Sequence, residues 1–177
     1  MLENLKKKLE TLPKNSVVLL IVPHQQHHEV TSFLVRYLLD TSNDKGTFIS
    51  LNRPYNNILE TFNISKQDKL FFIDGVTKNE YDIPNCYFLK SLDLKKLNLA
   101  VSSKIKQKDS SFFIMDSINS LSLCHSHNDV LEFSKSFIKQ LKSKNIHSVL
   151  ISTPDNDSLL QQIGSHVDKI INLTENY

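Results

Sequence analysis

Short, nearly unbroken apolar runs separated by longer amphipathic stretches constrain this chain more than any other feature. The runs are Ser16–Val22, Gly46–Leu51, Lys69–Asp74, Ser111–Asp116, His147–Ser152 and Val167–Leu173, with a shorter candidate at Cys86–Leu89. A strand with one wet face alternates apolar and polar residues, whereas a strand covered on both faces does not. Val17-Val18-Leu19-Leu20-Ile21 and Phe112-Phe113-Ile114-Met115 show no alternation, so both faces of their sheet need cover. The intervening segments supply it. Phe33, Leu34, Tyr37 and Leu38 recur at three-and-four spacing, and Tyr55–Phe62 carries Ile58, Leu59 and Phe62 on one side. Asp93–Ile105, Asn128–Lys142 and Asn156–Ile163 also read as helices. Ser126-x-x-Asp129 forms a capping box at the start of the second of these. Residues 41–46 read as a helix exit and loop. Strands alternating with helices predict an α/β three-layer sandwich around a mainly parallel sheet.

The 177 residues suit one domain spanning 1–177, and 40% hydrophobic residues suffice for its core. A formal charge of +2 offers no general attraction for nucleic acid or anionic lipid. The local basic groups, Lys6-Lys7-Lys8, Lys95-Lys96 and Lys104, Lys106 and Lys108, read as solvated helix faces without interleaved aromatics. No run of about 18 apolar residues is present, so no membrane span is expected. Two cysteines, Cys86 and Cys124, make no disulfide framework, which points to a reduced, cytoplasmic setting. Cys124 reads by default as a small buried residue. Residues 1–12 place Leu2, Leu5, Leu9 and Leu12 on one helix face, which either docks on its own domain or meets a partner.

Ligands of parallel α/β sheets bind beyond the carboxyl ends of the strands. The loops to watch therefore start at Pro23, Asn52, Asp74, Asp116 and Ser152. His24, His27 and His28 lie on the first, and Cys124, His125 and His127 follow the fourth long run. Imidazole and carboxylate together could hold zinc or a similar metal, with His24, His27, His28 and Asp116 as the set. The competing reading is polar residues filling the loop, with the Gln and His side chains capping a helix start. Asp74 and Asp116 either cap the turns that follow them or pair around a cation. Ser117 and Ser120 near His125 lack the nucleophile-elbow pattern, so chance proximity is the better account.

The order VVLLIVP, FISLNRPY, FFIDGVTK, FFIMDSINSL and SVLIS resembles the RecA/KaiC-like ATPase superfamily over roughly Pro13 to Leu173, most nearly its small single-domain archaeal KaiC-like proteins. That resemblance implies a RecA-like, P-loop NTPase-like fold. It makes Asp116, followed by Ser117, similar to the acid that holds magnesium through water in the family. A P-loop needs G-x-x-x-x-G-K-[ST] after the first strand, so that backbone N–H groups wrap the phosphates. The matching residues here are His24-Gln25-Gln26-His27-His28-Glu29-Val30-Thr31, and only Thr31 keeps its type. A carboxylate about 4 Å from a phosphate charge costs about 4 kcal/mol at an effective dielectric of 20. A helix dipole returns only about 0.3–1 kcal/mol. The family's catalytic glutamates after the second strand are replaced by Asn52-Arg53-Pro54.

The expectation is a catalytically inactive KaiC-like domain, a pseudo-ATPase with a degenerate P-loop, acting in regulation or signalling through a protein partner or self-association. The rival is a sensor that binds a nucleotide or other small ligand without turnover. Thr31, Arg53, Asp116 and Ser117 would line its degenerate site, with ATP or ADP held non-canonically and Arg53 touching phosphate. A metal-dependent enzyme built on the histidine loop is a third alternative.

Overall fold

A computed structural model describes residues 1–42, 45–64, 67–78 and 82–174. Part of the 41–46 loop, residues 43–44, lies outside the described residues. The strands are β1 (Val17–Ile21), β2 (Gly46–Ser50), β3 (Leu70–Asp74), β4 (Cys86–Phe88), β5 (Phe112–Asp116), β6 (His147–Ser152) and β7 (Lys169–Asn172). They form one sheet in the order β4-β3-β2-β5-β6-β1-β7, and all neighbouring strands run parallel. The helices are α1 (Leu2–Glu10), α2 (His27–Thr41), α3 (Tyr55–Phe62), α4 (Leu94–Gln107), α5 (Ile118–Leu121), α6 (His127–Ser143) and α7 (Asp157–Gly164).

Successive strand residues point to opposite faces, and each face has its own helix layer. Val18, Leu20, Phe48, Phe72, Ile114 and Ile151 pack under α1, α2 and α3. Val17, Leu19, Ile49, Ile73, Phe113 and Leu150 pack under α4, α5, α6 and α7. The three-layer α/β sandwich follows directly. Leu5 and Leu9 of α1 are buried, and Leu2 and Leu12 pack against the same cluster. The leucine face of residues 1–12 therefore docks on its own sheet.

Local chemistry sets the helix ends. Ser126 Oγ accepts from Asp129 N at 3.2 Å and donates to Asp129 Oδ2 at 2.6 Å, which starts α6. Asp93 caps α4 by accepting from the N–H groups of Lys95 and Lys96. Left-handed backbone falls to Asn15, Asn63, Asn85, Asn145 and Lys108, while no glycine has a positive φ. Asparagine tolerates that region better than other non-glycine residues, which lets a chain with three glycines make its turns. Gly46 is needed for space instead: a Cβ there would lie 2.0 Å from the Phe112 ring. No helix among the described residues is long and apolar enough to cross a membrane.

Candidate functional site

Strand β1 ends at Ile21, and the chain reaches α2 through Pro23 and a single 3-10 turn, His24–Gln26. The residues that follow, His27 to Thr31, already belong to α2. No side chain caps the first turn of α2, contrary to the expectation that glutamine and histidine would do so. Gln26 at the N-cap has helical backbone (φ −106°, ψ −2°) rather than the extended conformation from which a capping side chain accepts.

The three imidazoles of this turn go to three different partners. His24 Nε2 lies 2.6 Å from Asp155 Oδ1, and Thr153 Oγ1 donates to Asp155 Oδ2 at 2.5 Å. Donation from Thr153, outweighing partial desolvation and helped by His24, holds the Asp155 carboxyl below its usual range. His28 stacks on Phe62 at 5.3 Å, and Arg53 Nη1 donates to its Nδ1 at 2.9 Å. His27 turns inward, and its Nε2 stands 2.8 Å from Asp116 Oδ1, with both side chains buried. The contact is close but off the hydrogen-bond line, and His27 Nε2 has no hydrogen-bond partner among the described residues.

The set His24, His27, His28 and Asp116 is therefore not assembled as a metal site. Only His27 meets Asp116, and no group of three His, Cys, Asp or Glu is placed to hold a metal among the described residues. Adjacent positions on a helical turn diverge by roughly 100°, so closely spaced ligands in sequence separate in space.

Asp116 is fully buried at the end of β5. Its Oδ1 also accepts from Asn52 Nδ2 at 3.1 Å, while Oδ2 has no hydrogen-bond partner among the described residues. Ser117 Oγ sits 3.3 Å from Ser120 Oγ. Thr31 is buried, and its hydroxyl donates to the His27 carbonyl at 2.8 Å, within its own helix. Of the four residues expected in a degenerate nucleotide site, Arg53 and Ser117 line a common pocket with His24, His27, Asn52 and Thr153. Thr31 and Asp116 are not in that lining. The pocket holds about 280 Å³, just below the roughly 300–1,000 Å³ usual for ligand sites.

Asp74 has a different task. Its oxygens accept from Val76 N, Thr77 N, Thr77 Oγ1 and Tyr55 N at 2.6–2.9 Å. It caps the loop after β3 and anchors the start of α3. Asp74 and Asp116 both lie opposite Ser50, on either side of β2. Their backbones are two strands apart, roughly 9–10 Å, and both oxygens of Asp74 are engaged by the loop and α3 rather than turned to Asp116. His125 bonds the Leu92 carbonyl at 2.7 Å rather than a serine. Cys124 is exposed, not buried; Cys86 is the buried thiol, pushed up to about 12 chiefly by desolvation and also by Asp74.

Asn119, Thr153 and Asp155 were not singled out from sequence, and Asn52 only as the start of a loop. Asn119 Nδ2 donates to the Thr153 carbonyl at 3.2 Å, and its Oδ1 accepts from Thr153 N at 2.9 Å and from Ser152 Oγ. Their only sequence signal is position, just after strands β2, β5 and β6.

No protein-family model and no curated protein matches the sequence. Among solved structures, the chain is similar to the crystal structure of the KaiC-like protein PH0186 from the hyperthermophilic archaeon Pyrococcus horikoshii OT3. The TM-score is 0.67 at 14% identity, covering 93% of this chain and 74% of that one. The chain has a KaiC-like, RecA-type fold. Identity this low speaks to fold alone.

Proposed function

We propose that this chain is a RecA-like domain that does not hydrolyse nucleotide and works as a protein-binding module in cytoplasmic regulation or signalling. The observation that carries the reading is the buried His27 imidazole 2.8 Å from Asp116. By the resemblance, Asp116 corresponds to the acid that holds magnesium. In this chain an imidazole and the Asn52 amide already occupy one of its oxygens. Thr31, the one P-loop residue kept in type, spends its proton on its own helix. Arg53 stands where the family resemblance calls for a carboxylate to activate water. These features make a degenerate P-loop and a pseudo-ATPase the simplest account. The archaeal source belongs to the KaiC-like neighbour; an archaeal setting for this chain is part of the proposal.

A second reading has its own observation. Arg53, His24, His27 and Asn52 surround a pocket of about 280 Å³ with hydrogen-bond donors. That lining suits a small anionic ligand, or part of a nucleotide, bound without turnover.

Titration calorimetry and phosphate release with ATP–magnesium, ADP and a cyclic nucleotide separate the readings. The first expects neither heat nor phosphate. Saturable heat that disappears in Arg53→Ala selects the sensor. ATP turnover that is lost in Thr31→Ala or Asp116→Ala sinks both.

A further inference from the structure

Scattered exposed apolar side chains are ordinary, but two that share one groove are not. Tyr87, 50% exposed, and Leu99, 69% exposed, face each other across a groove of about 380 Å³. Its floor is Phe71 and Ile73 of β3, and its wall is Ala100 of α4. Strand β4, which carries Tyr87, is the edge of the sheet, so no further strand lies beyond it. The groove thus lies on the α4 side of the sheet, lined by strands and a helix that do not contribute to the pocket around Arg53 and Ser117.

The charge around it is one-sided. Helix α4 carries Lys95, Lys96, Lys104 and Lys106 and no carboxylate between Leu94 and Gln107. The groove lining contains Lys104 and no acid. Lys104 is partly neutralised, with Nζ 3.0 Å from Asp109 Oδ2 and 3.6 Å from the Phe71 ring centroid. Lys95, Lys96 and Lys106 make no close ion pair among the described residues, although Asp93 at the helix cap feels the first two. Three-and-four spacing puts Lys96 on the same stripe as Leu99, Ala100 and Ser103.

We propose that this groove docks an acidic segment of a partner protein that carries apolar anchor residues. The proposal rests on the protein-binding reading above and names the surface and the chemistry of its partner. Apolar anchors fill the space between Tyr87 and Leu99, and carboxylates meet the lysines at the rim. A second copy docked by the same face would oppose α4 to α4 and set lysine against lysine. Nucleic acid would find charge, but Tyr87 is the one well-exposed ring in the lining and Lys104 covers Phe71, so successive bases have no row of rings to stack on.

A random peptide library displayed on phage is panned on the full chain, with Leu99→Glu as the counter-selection. Leu99 is exposed, so that variant should fold, and an unchanged thermal melt checks it. Enriched peptides are expected to be net acidic with apolar anchors. Their Kd by fluorescence anisotropy should rise about tenfold or more in Leu99→Glu and in Lys96→Glu, and should weaken at high salt. Basic or unenriched peptides overturn the proposal, as does binding indifferent to Leu99→Glu. So does single-stranded DNA binding, or concentration-dependent dimerisation, that Leu99→Glu abolishes. Peptides that bind both chains equally remove this groove and leave protein binding standing. ATP turnover in the earlier assay strikes the broader reading without touching the groove.

Discussion

Removing the imidazole of His27 tests whether the Asp116 contact holds the carboxyl edge of the sheet together. His27 Nε2 stands 2.8 Å from a buried carboxylate, and depriving a buried charged group of its polar partner typically costs about 3–5 kcal/mol. Among the described residues Asp116 Oδ2 has no hydrogen-bond partner and Oδ1 would retain only Asn52, so His27→Ala should fall in that range. For a domain of this size the loss lowers Tm by about 6–20 °C. Asp116→Asn in the same background removes the stranded charge. The double variant should therefore be more stable than the sum of the singles predicts, by about 1–3 kcal/mol. Urea unfolding of the four proteins measures the cycle. A His27→Ala cost under about 1 kcal/mol, or singles that add, would refute the reasoning.

Three further outcomes follow from other parts of the fold. Gly46→Ala should destabilise by about 1–3 kcal/mol or more in urea, because its Cβ would sit 2.0 Å from the Phe112 ring. A thiol reagent at mild alkaline pH should label Cys124 quickly and Cys86 only on unfolding, since burial shields Cys86 and pushes its thiol up to about 12; mass spectrometry of the labelled chain decides. His147 titrates below its ordinary value of 6.5, mainly because burial disfavours the charged ring, an effect that Ser16 opposes. The unfolded chain therefore takes up the proton first. The stability contributed by neutral His147 is complete above pH 6.5 and is lost as pH falls through the lower folded value. His147→Gln should flatten that acid limb in melts recorded across the range.

The strands were legible because double-sided burial writes itself as continuous apolar residues. Val17–Ile21 and Phe112–Asp116 are unmistakable for this reason, and Tyr55–Phe62 is a helix over the range its spacing predicts. Helix α5, Ile118–Leu121, is only four residues long and leaves no period to detect. At the candidate site, the sequence placed Arg53, Asp116, Ser117 and the histidine turn at one sheet edge. It could not say which way each imidazole faces. Asp155, which takes His24, lies 131 residues away along the chain, and nothing local announces it.

By itself, then, the sequence determined the alternation of strands and helices, the absence of glycine and lysine from His24–Thr31, and the Asn52-Arg53-Pro54 stretch after β2. These depend on residue type and near neighbours, which local sterics and patterning expose. Only the tertiary structure decided that His27 would cover Asp116, that His24 would reach Asp155, and that Asp74 would hold the start of α3. Those outcomes depend on strand order and on where side chains from distant segments converge, and packing alone sets that geometry.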